Sequence, residues 1–278
     1  MDIRLEIVSG KGGVGKSAVT AAIALHAARA GRRVLALATT DARGLGAHLG
    51  RQSIGHEPSE VRDDLYLEAV VPGPALQQYL KVQIGVPTPR MSLATRAFDL
   101  LATAAPGIRE VITIGKVVWE AERGGWDMVV VDAPPTGQLS SYLTAPNTVA
   151  ELVPTGKVKE QSAWMRESLA SPATRLTLVT TLEELPVTET REALQEFDEV
   201  CGRSRVLANR VLGPLDASAK EMDALADGAT KDAALMHEQL RTEQTEWFES
   251  LTIAGTLSHQ FGVLTPPEVA AHLADELT

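Results

Sequence analysis

The chain alternates between short apolar runs and longer stretches in which apolar residues recur every three or four positions. Runs of strand length, bounded by turn residues, fall at Arg4 to Val8, Val34 to Ala38, Leu65 to Val70, Met128 to Val131, Leu176 to Thr180 and Val206 to Ala208. Near-continuous apolar character is the pattern of strands buried on both faces, as in a parallel sheet. After the first run, Val19, Ile23, Ala27 and Ala30 follow at helical spacing, and Gly31 supplies a stop before the next strand. Strand, helix, strand along the chain predicts an α/β fold, a mostly parallel sheet with helices on both faces.

Two stretches do not fit simple crossovers. Residues 74–122 carry helical segments broken at Gly85, Pro87, Pro89 and Pro106, and residues 140–170 form a second such stretch. They are expected to be helical insertions, an inserted helical subdomain carried by a single domain over residues 1–278. Around the second, Leu139, Tyr142, Leu143, Val158, Trp164, Met165 and Leu169 stand among polar residues. That spacing fits ordinary core, and equally a binding groove or subunit interface. Near the C-terminus "TPPE" gives a Thr265 cap, proline at the first helical position and Glu268 three residues on, which predicts a helix from Pro266.

Composition narrows the partners. The 278 residues are 44% hydrophobic and 22% charged, an ordinary globular balance, with a formal net charge of −10. An acidic field argues against holding a nucleic-acid backbone and allows at most transient contact with an anionic membrane. The N-terminus "MDIRLEIV" is too short and charged for a signal peptide, and no apolar run approaches the 18 residues of a membrane span, so a cytoplasmic location is expected. The single cysteine, Cys201, excludes a disulfide framework, and its place between helix and strand suits a small buried hydrophobe.

The chemistry concentrates where the first strand ends. "VSGKGGVGKS", Val8 to Ser17, packs four glycines and two lysines between a strand and a helix and satisfies G-x-x-x-x-G-K-[ST] at Gly10, Gly15, Lys16 and Ser17. Gly12, Gly13 and Gly15 can turn successive N–H groups inward as a donor nest, with the helix N-terminus aimed at the same space. Gly10, Lys11, Gly12, Gly13, Val14, Gly15, Lys16, Ser17 and Ala18 are therefore the candidate phosphate-binding loop for ATP or ADP. Lys16 is placed for the β and γ phosphates and the Ser17 hydroxyl for Mg²⁺.

Lys11, directly after the first glycine, is not needed by an ordinary P-loop. "KGGVGKS" resembles the deviant Walker A motif of the signal-recognition, partitioning and arsenite-pump branch of P-loop ATPases. The resemblance implies that Lys11 is catalytic in trans, reaching a partner subunit's nucleotide, so that the active unit is a homodimer or a heterodimer with a paralogue; a solvated loop charge is the alternative. In "LALATTDARGLGAHL", Asp41 matches the family's water-orienting aspartate, with Ala42 in place of the usual proline, and it also fits a helix cap. In "MVVVDAPPTGQLSSYL", Asp132 matches the Walker B carboxylate that holds Mg²⁺ through a water, followed by a segment resembling the second switch, with Gln138 where a histidine is usual.

"LVTTLEELPVTETREALQEF" is similar to a segment of the arsenite-pump ATPases and of the guided-entry ATPases that deliver tail-anchored proteins, and Asn209 in "RVLANRV" matches the residue that reads adenine there. The resemblance implies a Mg²⁺-dependent ATPase, a nucleotide-gated dimer that binds and releases an apolar protein or other client; a partitioning or positioning ATPase is the alternative. One cysteine per chain disfavours a nitrogenase-type cluster, metalloid ligation and the zinc clamp of eukaryotic guided-entry dimers. The C-terminal "GTLSHQFGVLTPPE" departs from the family's proline-rich segment and leaves base contacts there unassigned.

Overall fold

The structure, a computed structural model, describes residues 2–79, 107–152 and 155–277. The chain breaks expected at Gly85, Pro87, Pro89 and Pro106 lie outside the described residues. The described residues form an eight-stranded sheet in the order β3-β4-β2-β5-β1-β6-β7-β8. Its strands are β1 (Leu5–Gly10), β2 (Val34–Ala38), β3 (Ser59–Arg62), β4 (Leu65–Ala69), β5 (Met128–Asp132), β6 (Thr174–Thr180), β7 (Ser204–Val211) and β8 (Gly255–Ser258). All neighbours pair in parallel except β3 with β4. The expected α/β, mostly parallel architecture of a P-loop protein is present.

Alternation along each strand divides the core in two. Val8, Val34, Ala36, Met128 and Val130 pack under α1 (Lys16–Arg29), α2 (Ala42–His48) and the terminal helix α10 (Pro266–Glu276). Leu5, Ile7, Leu35, Leu37, Val129, Val131, Leu176 and Leu178 face the other side. There they meet α3 (Pro72–Tyr79), α4 (Ile108–Arg123), α5 (Thr136–Leu152), α6 (Lys157–Leu169) and α7 (Glu184–Phe197). Leu139, Leu143, Met165 and Leu169 belong to this second core, Tyr142 and Trp164 are packed against it, and Val158 is 43% exposed. Between β7 and β8 run α8 (Ala219–Asp223) and the long α9 (Ala229–Glu249).

Local chemistry sets the helix ends that matter. Gly15 caps α1 at φ 93 and Gly31, at φ 80, ends it. Thr265 and Glu268 form the expected capping box at the start of α10. That helix is locked to α1 by His26 Nδ1 at 3.2 Å from the Ala274 carbonyl and by an Arg29–Asp275 ion pair at 2.6 Å. Cys201 is buried, with its thiol pushed up to about 12 by desolvation, the small hydrophobe expected.

The central position of β1 fixes where a ligand can bind. After β1 the chain builds the sheet toward β2, β4 and β3, and after β5 it crosses to β6, β7 and β8 on the other side. The connections leaving β1 and β5 therefore diverge around the carboxyl end of β1, the crevice where open α/β sheets hold ligands.

Candidate nucleotide site

Gly10 to Ser17 occupy that crevice. Gly10 sits at φ 149, and a Cβ there would lie 2.1 Å from the Val179 carbonyl oxygen on β6. The loop therefore leaves the sheet flush against a neighbouring strand, an approach only glycine permits. At Gly15 the φ of 93 is joined by an intrusion: a Cβ would lie 2.4 Å from Asn209 Nδ2. With Gly13 at φ 92, the loop has left-handed residues of the kind a donor nest requires, and α1 begins where it ends.

The charged groups converge beneath the loop. Ser17 Oγ donates to Asp132 Oδ2 at 2.7 Å, joining the first turn of α1 to the end of β5. Thr39 Oγ1 donates to the Asp132 carbonyl at 2.8 Å, and Ser9 Oγ to the Pro134 carbonyl at 2.6 Å, so the ends of β1, β2 and β5 are tied together. Lys16 Nζ donates to the Lys11 carbonyl at 3.0 Å. Burial pulls the Lys16 ammonium below the usual lysine range, opposed by the Asp132 charge. Burial likewise pushes Asp132 up to about 6, against the Ser17 hydrogen bond and the Lys16 charge. Both groups are desolvated with less compensation than their charged forms need, the electrostatic signature of a site built for further charge.

A cavity of about 550 Å³ opens here, lined by the loop and α1 through Gly13, Gly15, Lys16, Ser17 and Ala18, and by Asn209. Val14 is buried beside it, and its carbonyl accepts a 2.8 Å hydrogen bond from Asn209 Nδ2. Asn209 thus both borders the cavity and braces the loop. Sequence reasoning missed His48, Arg210, Ser258, His259 and Gln260, which share the lining. Their signal is positional: Arg210 follows Asn209 at the end of β7, and His259 and Gln260 follow β8, both at carboxyl ends. Arg210 adopts φ 59, and its carbonyl accepts from Gln244 Nε2 of α9 at 3.1 Å while Gln244 Oε1 accepts from the Leu212 N–H at 2.9 Å. The long helix therefore fixes the turn that carries Arg210.

Two candidates stand apart from this cavity. Asp41 caps α2, accepting from the Arg43 N–H at 3.0 Å, and its exposed carboxylate pairs with the Arg43 guanidinium at 3.0 Å, which lowers its pKa. Lys11 is not in the cavity lining; its ammonium forms an ion pair with Glu189 on α7, whose other oxygen lies 3.4 Å from Thr136 Oγ1.

The donor set suits a nucleotide with Mg²⁺. A hydroxyl and a carboxylate 2.7 Å apart are hard oxygen ligands of the kind Mg²⁺ takes together with phosphates. Phosphates entering the cavity would meet a glycine-rich loop, a helix N-terminus and a desolvated lysine. Among the described residues no group of three or more His, Cys, Asp or Glu side chains is arranged to hold a metal unaided, and no helix is long and apolar enough to cross a membrane.

Comparison with known proteins agrees with this geometry. The family model described as anion-transporting ATPase matches residues 3–168. The ATPase BagA of Mycobacterium tuberculosis is 31% identical over 98% of this chain and 84% of its own length. A protein of Chlorobaculum tepidum named as a candidate arsenical pump-driving ATPase is 27% identical over 75% of this chain and 51% of its own. The ATPase GET3 of Ajellomyces dermatitidis is 26% identical over 58% of this chain and 48% of its own. With that match and a glycine loop, lysine and carboxylate gathered at the carboxyl end of β1, the chain belongs to the anion-transporting ATPase family and is an ATP hydrolase.

Proposed function

We propose that the protein is a Mg²⁺-dependent ATPase working in the cytoplasm as a nucleotide-gated dimer of two copies of this chain, coupling hydrolysis to the binding and release of a client. The observation that carries the reading is the separation of the two loop lysines. Lys16 borders its own cavity, whereas Lys11 is outside the lining and is paired with Glu189.

Within one subunit, the loop from Gly10 to Ala18 binds and orients the triphosphate through backbone donors, and Lys16 neutralises its β and γ oxygens. Ser17 and Asp132 would hold Mg²⁺, which supplies Lewis-acid neutralisation of the phosphate oxygens when bound. Asn209 keeps the loop in register through Val14, with Arg210, His259 and Gln260 beside it in the lining. Asp41 orients the attacking water once Arg43 releases its carboxylate. Lys11 exchanges Glu189 for the partner's phosphates when the dimer closes, adding positive charge where negative charge develops in the transition state, as an arginine finger does. The Lys11–Glu189 pair is part-exposed, with side chains 29% and 37% accessible, so its rupture costs no more than about 1 kcal/mol. Such a pair can restrain Lys11 without trapping it.

Replacing Lys11 with alanine tests the reading. Turnover should fall by about 10³-fold or more while nucleotide affinity is kept, measured by phosphate release and by equilibrium nucleotide binding. Undiminished turnover would remove Lys11 from the chemistry.

A further inference from the structure

On the face of the sheet opposite α1, a second cavity of about 200 Å³ lies among α3, α4, α5 and α6. Its walls are mostly apolar: Val111 and Ile112 from the start of α4, Trp119 two turns on, and Trp164 and Met165 from α6. Both tryptophans are held by cations, Lys116 Nζ 5.6 Å from the Trp119 ring and the Arg123 guanidinium 5.1 Å from the Trp164 ring. Preformed, mostly apolar pockets take up small apolar molecules.

One polar group in the lining has no partner. Ser162 is 0% exposed, and its hydroxyl makes no hydrogen bond. A buried hydroxyl without a partner costs about 1–3 kcal/mol, so a ligand bearing one hydrogen-bonding group recovers that cost here. Lys116, also in the lining, is not available to do so. Its three donors are taken by Gln78 Oε1 at 2.8 Å, Glu68 Oε1 at 2.9 Å and Glu120 Oε1 at 2.5 Å. With Lys116 so engaged, the described lining offers no free cationic donor for an anionic head group. A polypeptide helix is about 10–12 Å across with its side chains, so even one turn exceeds the volume.

We propose that this cavity binds a small neutral amphiphile: an apolar body ending in a hydroxyl or similar uncharged group held by Ser162, about eight non-hydrogen atoms in all. The site is independent of the dimer reading, because it lies across the sheet from α1 and needs neither nucleotide nor a second subunit.

Titration of the nucleotide-free full-length protein with 1-heptanol, read by tryptophan fluorescence, tests it, since Trp119 and Trp164 wall the cavity. Saturable binding is expected with Kd on the order of 0.1–1 mM, and heptanoate should bind at least about tenfold more weakly. Ser162→Ala should weaken heptanol about fivefold, the worth of one hydrogen bond. Gly115→Leu should abolish binding, because Gly115 lines the cavity and a Cβ there already lies 3.4 Å from Met165 Sδ. Circular dichroism and ATP hydrolysis of both variants report whether the fold and the nucleotide site are intact. An unsaturable response, heptanoate binding as well as heptanol, or a Ser162→Ala protein indistinguishable from the parent would each overturn the proposal, whatever becomes of Lys11. An absent response to heptanol would overturn it equally.

Discussion

The two cavities lie on opposite sides of one sheet and are made in opposite ways. The candidate nucleotide site is built at strand ends, largely from a contiguous loop that turns its backbone toward the cavity. The amphiphile cavity is assembled from four helices, and its character comes from side chains between positions 75 and 165. A site made of backbone is rigid where single atoms intrude. A site made of side chains tolerates exchange but depends on which polar groups the packing leaves unpaired.

Gly10→Ala breaks that contrast most severely. The added Cβ collides with a main-chain oxygen of β6, which cannot rotate away, at a φ that disfavours any side chain. A loss of about 3 kcal/mol or more in chemical denaturation is expected, together with loss of nucleotide binding. Gly115→Ala, on the helical side, should cost less than about 1 kcal/mol, because Met165 is a flexible neighbour.

Next in size is a pH effect on the helical side. Burial raises Glu68 from 4.5 to about 7, although Lys116 opposes the shift, and Glu68 Oε2 has no partner. A carboxyl raised in the folded state contributes stability that is present below pH 4.5 and lost as pH rises through about 7. Between pH 4.5 and pH 8 this group should cost the parent protein on the order of 3 kcal/mol, and the pH-dependent loss in Glu68→Gln should be smaller by about that amount. Equal pH dependence in the two proteins would show that Glu68 titrates alike in the folded and unfolded chains.

The smallest expected effect sits at the nucleotide site. Glu189→Gln removes the partner of Lys11, and because the pair is part-exposed the gain is limited. Basal ATP hydrolysis should rise up to about fivefold in steady-state assays, with thermal stability nearly unchanged. A fall in turnover would make Glu189 part of the chemistry rather than a restraint.

How much of this was legible follows the same division. The six apolar runs became six strands, because interior strands of a parallel sheet must be apolar on both faces. The two unforeseen strands, β3 and β8, are the sheet's edges. β3 reads "SEVR" with no buried residue, and β8 reads "GTLS" with Leu257 alone buried, so neither carries a periodic signal. The phosphate loop, Lys16 and Ser17 stood out because that motif demands fixed spacing, and Asp132 because it ends an apolar strand in a segment resembling the family's; the structure brings Asp132 within 2.7 Å of Ser17. Asp41 was foreseen both as a water-orienting group and as a cap; its hydrogen bond to the Arg43 N–H is the cap. The Glu189 partner of Lys11, 178 positions away, and the orphaned Ser162 depend on tertiary packing that no local pattern encodes.

The account stands on Lys11 acting across a subunit boundary, and mixing two inactive proteins tests it most directly. Lys11→Ala retains Asp41 but lacks the lysine, and Asp41→Asn retains Lys11 but cannot orient water. If Lys11 serves the neighbouring site, equimolar mixing restores one competent site per mixed dimer, about a quarter of wild-type turnover after random reassortment. Turnover no higher than the average of the two variants measured alone would place Lys11 outside the partner's site and contradict the nucleotide-gated dimer.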